Sequence, residues 1–93
     1  MPDLISKIKK LLRLSGDALD DVVKMNVEAA LDDIADQGVN IDTQDNLIVK
    51  AVELYCKWQM NHNGEADRFE KNYTTLRDTM SKQEAHRQVD GDA

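Results

Sequence analysis

Apolar residues recur along this chain at intervals of three and four, in four blocks parted by short polar turns that carry most of the glycines. Over 3–13, Leu4, Ile5, Ile8, Leu11 and Leu12 form one stripe on a helix. Pro2 precedes that stripe, where a missing N–H costs nothing. Lys7, Lys9, Lys10 and Arg13 fall towards its C-terminal half and complement the helix dipole. Ser15-Gly16-Asp17 predicts its end. Over 17–37, Leu19, Val22, Val23, Val27, Ala30, Leu31 and Ile34 repeat the pattern, with Asp17, Asp20 and Asp21 at the start and Gly38 placed as a left-handed C-cap.

Val39-Asn40-Ile41-Asp42 reads as a short extended link, with Asp42 or Thr43 as N-cap of a third helix over 44–60. Leu47, Ile48, Ala51, Val52, Leu54, Tyr55, Cys56 and Trp58 give this helix an apolar arc wider than one stripe. A helix wet on one face does not need such an arc, so it is expected at the centre with neighbours on two sides. Asn61-His62-Asn63-Gly64 is a turn cluster. Over 65–83, Phe69, Tyr73, Leu76 and Met80 make a narrow stripe, so one face docks and the rest is wet. The last ten residues hold a single large apolar side chain, Val89, and read as a flexible C-terminal tail.

The pattern predicts an all-α fold, a compact bundle of about four helices in one domain over 1–83, with the tail over 84–93. Its expected core holds Leu31, Ile34, Leu47, Ala51, Leu54, Tyr55, Trp58, Phe69, Tyr73 and Leu76. With 93 residues, the chain buries only roughly 60 to 65% of its unfolded surface, so its stability is expected to be modest. Hydrophobic residues at 41% are too many for a wholly disordered chain. They are also too scattered for a membrane span, and Met1-Pro2-Asp3 does not open a secretory signal.

The formal charge is −6, unlike domains that coat nucleic acid with concentrated Lys and Arg. Its distribution says more. Residues 1–14 hold four basic side chains against one acidic, 15–46 hold nine acidic against Lys24 alone, and 47–93 are nearly balanced. One end of the molecule is therefore basic and the second helix with its link is acidic. In a ring, such asymmetry brings opposite signs together at each heterologous contact, or lines a bore with one sign.

Few residues offer catalysis or metal binding. Cys56 lies on the predicted core face, where an inert thiol is the usual outcome, and a single cysteine suits a reducing cytosol. His62 and His86 are 24 residues apart in sequence, and no second ligand stands at i+3 or i+4 from His62. A calcium loop started at Asp36 would place Gly38, Ile41 and Leu47 where an oxygen ligand, a glycine and a glutamate are needed. Glu28, Asp32, Asp33 and Asp36 make acidic edges of the second helix, and nothing in the sequence fixes a partner for them. The lysine cluster of the first helix lacks aromatic interleaving and reads as a solvated face. Tyr55 and Trp58 read as core. No glycine-rich phosphate loop is present. The expectation is a protein without catalytic residues, cofactor or metal.

Leu11-Leu12-Arg13-Leu14, Asp20-Asp21, Val27 to Ile34 and Gly38-Val39 resemble the first half of the small head–tail connector (adaptor) proteins of long-tailed phages and prophages. The second half matches better. Ala51-Val52-Glu53-Leu54-Tyr55-Cys56-Lys57, then Asp67-Arg68-Phe69-Glu70-Lys71-Asn72-Tyr73 and Leu76-Arg77, are similar to that family's Leu-Tyr-Cys-Lys helix and its following Arg-Phe…Tyr…Leu helix. The likeness spans about residues 4 to 82, and the turn Asn63-Gly64-Glu65-Ala66 departs from the family's acidic-proline step. It implies an all-helical, non-enzymatic subunit that is a monomer in dilute solution and joins a ring, usually twelve-fold, under the portal protein. Such a ring extends the DNA conduit and meets the next connector, stopper or tail protein, in a virion part assembled in the host bacterial cytoplasm.

Two expectations join the resemblance to the charge pattern. Asp20, Asp21, Glu28, Asp32, Asp33, Asp36, Asp42 and Asp45 are candidates for an acidic channel lining that lets DNA pass without sticking. Glu84, Arg87 and Val89 are candidates for a portal-binding tail. The competing expectation is a small acidic helical interaction module or regulator that masks a basic protein partner.

Overall fold

The computed structural model describes residues 2–42 and 45–83. They form α1 (Pro2–Leu11), α2 (Asp20–Asp36), α3 (Asn46–Gln59) and α4 (Ala66–Lys82), with a 3₁₀ turn at His62–Gly64 and no strand among the described residues. The all-α bundle expected from the periodicity is the fold observed. One hydrophobic cluster draws residues from all four helices.

Leu4, Ile8 and Leu12 bury the stripe of α1. The helix stops earlier than Ser15-Gly16-Asp17 implied, because Arg13 turns left-handed at φ 59°. The Arg13 N–H then donates to the Lys10 carbonyl at 3.0 Å and the Leu14 N–H to the Lys9 carbonyl at 2.9 Å. These are the two bonds of a Schellman cap, with arginine where glycine is usual. The first turn of α2 has no side-chain cap. Asp20 and Asp21 answer its dipole instead. Gly38, at φ 82°, closes α2 through its N–H to the Ala35 carbonyl at 2.9 Å.

The cap of α3 is neither Asp42 nor Thr43. Asp45 holds that place, with its side chain accepting the Leu47 N–H at 2.9 Å, and Thr43 lies outside the described residues. The Asp42 carbonyl accepts the Asp45 N–H at 2.9 Å. Between α3 and α4, Asn61 and Asn63 both adopt left-handed backbone, which asparagine tolerates better than most residues. The Asn61 side chain also accepts the Ala66 N–H at 3.3 Å, covering a free donor of α4.

α3 packs against each of the other three helices. Ile48, Val49, Ala51, Val52, Leu54 and Cys56 are buried around most of its circumference, as its wide apolar arc required. Of the expected core, Leu31, Ile34, Ala51, Leu54, Phe69 and Tyr73 are buried. Tyr55, Trp58 and Leu76 are half-buried against the cluster. Leu47 is a correction: it is 38% exposed. Periodicity assigns Leu47 a side of α3, but it does not reveal how far along the helix a neighbour extends. Leu11, Leu19 and Val22 are likewise exposed despite their spacing.

These burials set different costs for truncation. Ile34→Ala, at a fully buried side chain, is expected to lose about 2–5 kcal/mol of unfolding free energy. Leu47→Ala is expected to lose under about 1 kcal/mol, as partly solvated positions do. Urea unfolding monitored by helix content compares the two.

Candidate functional site

The eight acids proposed as one lining divide by what they touch. The Asp20 Oδ1 is closed off from solvent and meets Lys9 Nζ at 2.5 Å. The same ammonium donates to the Gly16 carbonyl at 2.8 Å, so one lysine of α1 ties both the following turn and the start of α2. Asp45 caps α3. Asp33 is engaged by α4. Asp21, Glu28, Asp32 and Asp36 are exposed on α2, and Asp42 is exposed in the link.

The engagement of Asp33 corrects the expectation that nothing fixes a partner for it. The Tyr73 hydroxyl donates to Asp33 Oδ2 at 2.5 Å, and Arg77 donates to the same oxygen at 2.9 Å. Burial alone would raise the Asp33 carboxyl. The bonds from Tyr73 and Arg77, with the guanidinium charge, outweigh it and hold the group below the usual carboxylate value. Burial and the same carboxylate push the Tyr73 phenol far above its usual range. Burial also raises Tyr55, with help from the Asp33 charge.

An aromatic cluster adjoins this node. The rings of Tyr55 and Tyr73 meet edge-on at 5.2 Å, and those of Tyr55 and Trp58 at 5.4 Å, within the favoured range for such pairs. The Arg77 guanidinium lies 5.7 Å from the centre of the Tyr73 ring. The cluster joins α3 to α4, and Asp33 joins α4 to α2. Its geometry is that of a brace.

Cys56 is fully buried, and burial with the Glu53 charge pushes its thiol up to about 12. A thiol so protonated is a poor nucleophile. Glu53 is a buried acid that the sequence reading passed over. Its two oxygens meet Lys57 at 2.9 Å and Lys50 at 3.5 Å, both on α3. The i−3 and i+4 lysines were the available signal. The ring of His62 lies 6.1 Å from that of Phe69. No group of metal-ligating side chains forms among the described residues, and none of their helices is long and apolar enough to cross a membrane. Glu84, Arg87 and Val89 lie outside the described residues.

What the folded surface does offer is on α1 and α2. Met25 is 69% exposed, with Val22 at 42% beside it. Lys7 and Lys10 are exposed on α1, together with Leu11 at 41%. No family model, curated protein or solved structure matches the chain.

The Asp33 node has a pH signature. With its folded pKa depressed, Asp33 contributes stability that is complete above its unfolded value of about 3.9 and is lost as pH falls through the folded value. Tyr73→Phe removes a hydrogen bond to a charged acceptor and is expected to cost about 1–2 kcal/mol near pH 7. The gap between wild type and variant should hold down to about pH 5 and narrow below about pH 4. Urea midpoints across that range measure it, and a gap independent of pH would show that the Asp33 charge is not what Tyr73 binds.

Proposed function

We propose that the chain is a structural subunit of a phage head–tail connector, which joins a ring beneath the portal protein and continues the DNA conduit to the next connector, stopper or tail protein. The observation that carries this reading is the order of the family-like motifs together with their place in the fold. Leu54-Tyr55-Cys56-Lys57 and Arg68-Phe69…Tyr73…Leu76-Arg77 fall on α3 and α4, and their apolar members form the seam between those helices. The residues that carry the resemblance are thus those that hold the bundle together. Separation of charge between α1 and α2 also supports a part that meets copies of itself through unlike surfaces.

Within this reading, only the exposed acids remain candidates for facing DNA. Asp20, Asp33 and Asp45 already serve the fold. Asp32 and Asp36, near the end of α2, and Asp42 in the link are assigned to the conduit, where like charge discourages DNA from adhering. Residues 84–93 are assigned to the portal contact.

The decisive experiment combines the purified chain with a candidate portal protein from the same genome and images the product by electron microscopy. A closed ring of this chain on one face of the portal is the expected result. A chain that leaves the portal bare, or whose neighbouring genes encode no capsid or tail protein, overturns the proposal. Given a ring, Asp32→Lys with Asp36→Lys is expected to slow DNA release from assembled particles without reducing their number. Unchanged release kinetics would remove these acids from the conduit.

A further inference from the structure

Two exposed faces of this chain complement each other in charge, and each has an apolar centre. On α2, Met25 is the most exposed large hydrophobic residue among those described. Asp21 and Val22 stand one turn before it and Glu28 one turn after, at the i−4, i−3 and i+3 positions that share a helix face. On α1, Leu11 is exposed with Lys7 at i−4, and Lys10 stands at i+3 from Lys7. No ion pair to a described residue engages Lys7, Lys10, Asp21 or Glu28, whereas Lys9 and Asp20, on the same helices, are already spent on each other.

We propose that the Lys7–Lys10–Leu11 face of one copy docks on the Asp21–Val22–Met25–Glu28 face of a second copy of this chain. The occupant follows from complementarity. The apolar-centred face of α2 is net acidic, Asp21 and Glu28 outweighing Lys24 between them, and calls for a partner with a basic rim and an apolar centre, which α1 presents on every copy. Basic meets acidic while Leu11 meets Val22 and Met25, so apolar burial provides adhesion and charge provides register. In this head-to-tail contact the first copy keeps its acidic face open and the second its basic face, so the contact propagates from copy to copy. This deepens the assembly reading by naming its self-contact, and it divides α2 between a neighbour at its N-terminal half and the conduit at its C-terminal end.

The test uses two charge-reversed full chains. In the first, Lys7→Glu and Lys10→Glu make both faces acidic; in the second, Asp21→Lys and Glu28→Lys make both basic. All four positions are exposed, so unchanged helix content and urea midpoint serve as the control for folding. Sedimentation velocity at low salt and up to millimolar concentration is expected to show the wild type associating, each variant alone weakened roughly tenfold or more, and an equimolar mixture restored. Met25→Asp should weaken the wild type comparably, and added salt should weaken every association. A wild type that stays monomeric, variants that associate unaided, or a mixture that fails to recover would each overturn the contact. Variants that still build a complete ring on the portal would remove this interface while leaving the connector reading intact; intact self-association with no portal ring would do the reverse.

Discussion

The structure depends on α3 being buried around most of its circumference. A short chain has little interior to share among four helices, and it solves the problem by wrapping three of them round one. Ile48, Val49, Ala51, Val52, Leu54 and Cys56 supply that interior, so α1, α2 and α4 each need only one apolar stripe. Glu53, the one charged residue buried among those described, is neutralised by Lys50 and Lys57 from the same helix. No other element must supply its counter-ion, which avoids the penalty of a buried unpaired carboxylate.

Wrapping leaves α1 and α2 with outward faces, and polar contacts tie α2 to its neighbours. Lys9 holds Asp20 and the Gly16 carbonyl, while Asp33 takes Tyr73 and Arg77 from α4. Both braces use acids from the 15–46 segment, which holds half of the acidic residues. That segment therefore has two parts: acids that orient helices, and acids left on the surface. The second part is the one that faces solvent. The distinction matters because net charge alone would have assigned all eight to one surface.

Helix existence and the central place of α3 were legible because periodicity and the width of an apolar arc are local properties of the chain. What escaped the sequence depends on lengths and distances between elements. Leu47 has the spacing of a core residue, yet it sits in the first turn of α3, where its exposure records the limit of its neighbours. Asp45 could not be separated from Asp42 and Thr43 as a cap, since all three side chains can accept an N–H. Arg13 gave no sign of its left-handed backbone, a conformation read from sequence only when glycine or asparagine occupies it. Asp33 lies 40 and 44 residues from its partners, and nothing in a single sequence reports so long-range a bond.

Exposure of Leu11 and of Val22, with Met25 beside it, is then the most informative feature of the surface. Single exposed apolar residues are ordinary on protein surfaces. Here the exceptions carry charge of opposite sign around them on two different helices, and the fold keeps other charges of the same helices occupied internally. A chain whose two unlike faces meet head to tail leaves one of each open in a pair. It must either leave one of each unmet or add further copies until the arrangement closes on itself. The angle between the two faces then decides how many copies complete a turn. That angle is set by the way α1 and α2 lie on α3, so the same core that stabilises one subunit would also determine the geometry of the assembly.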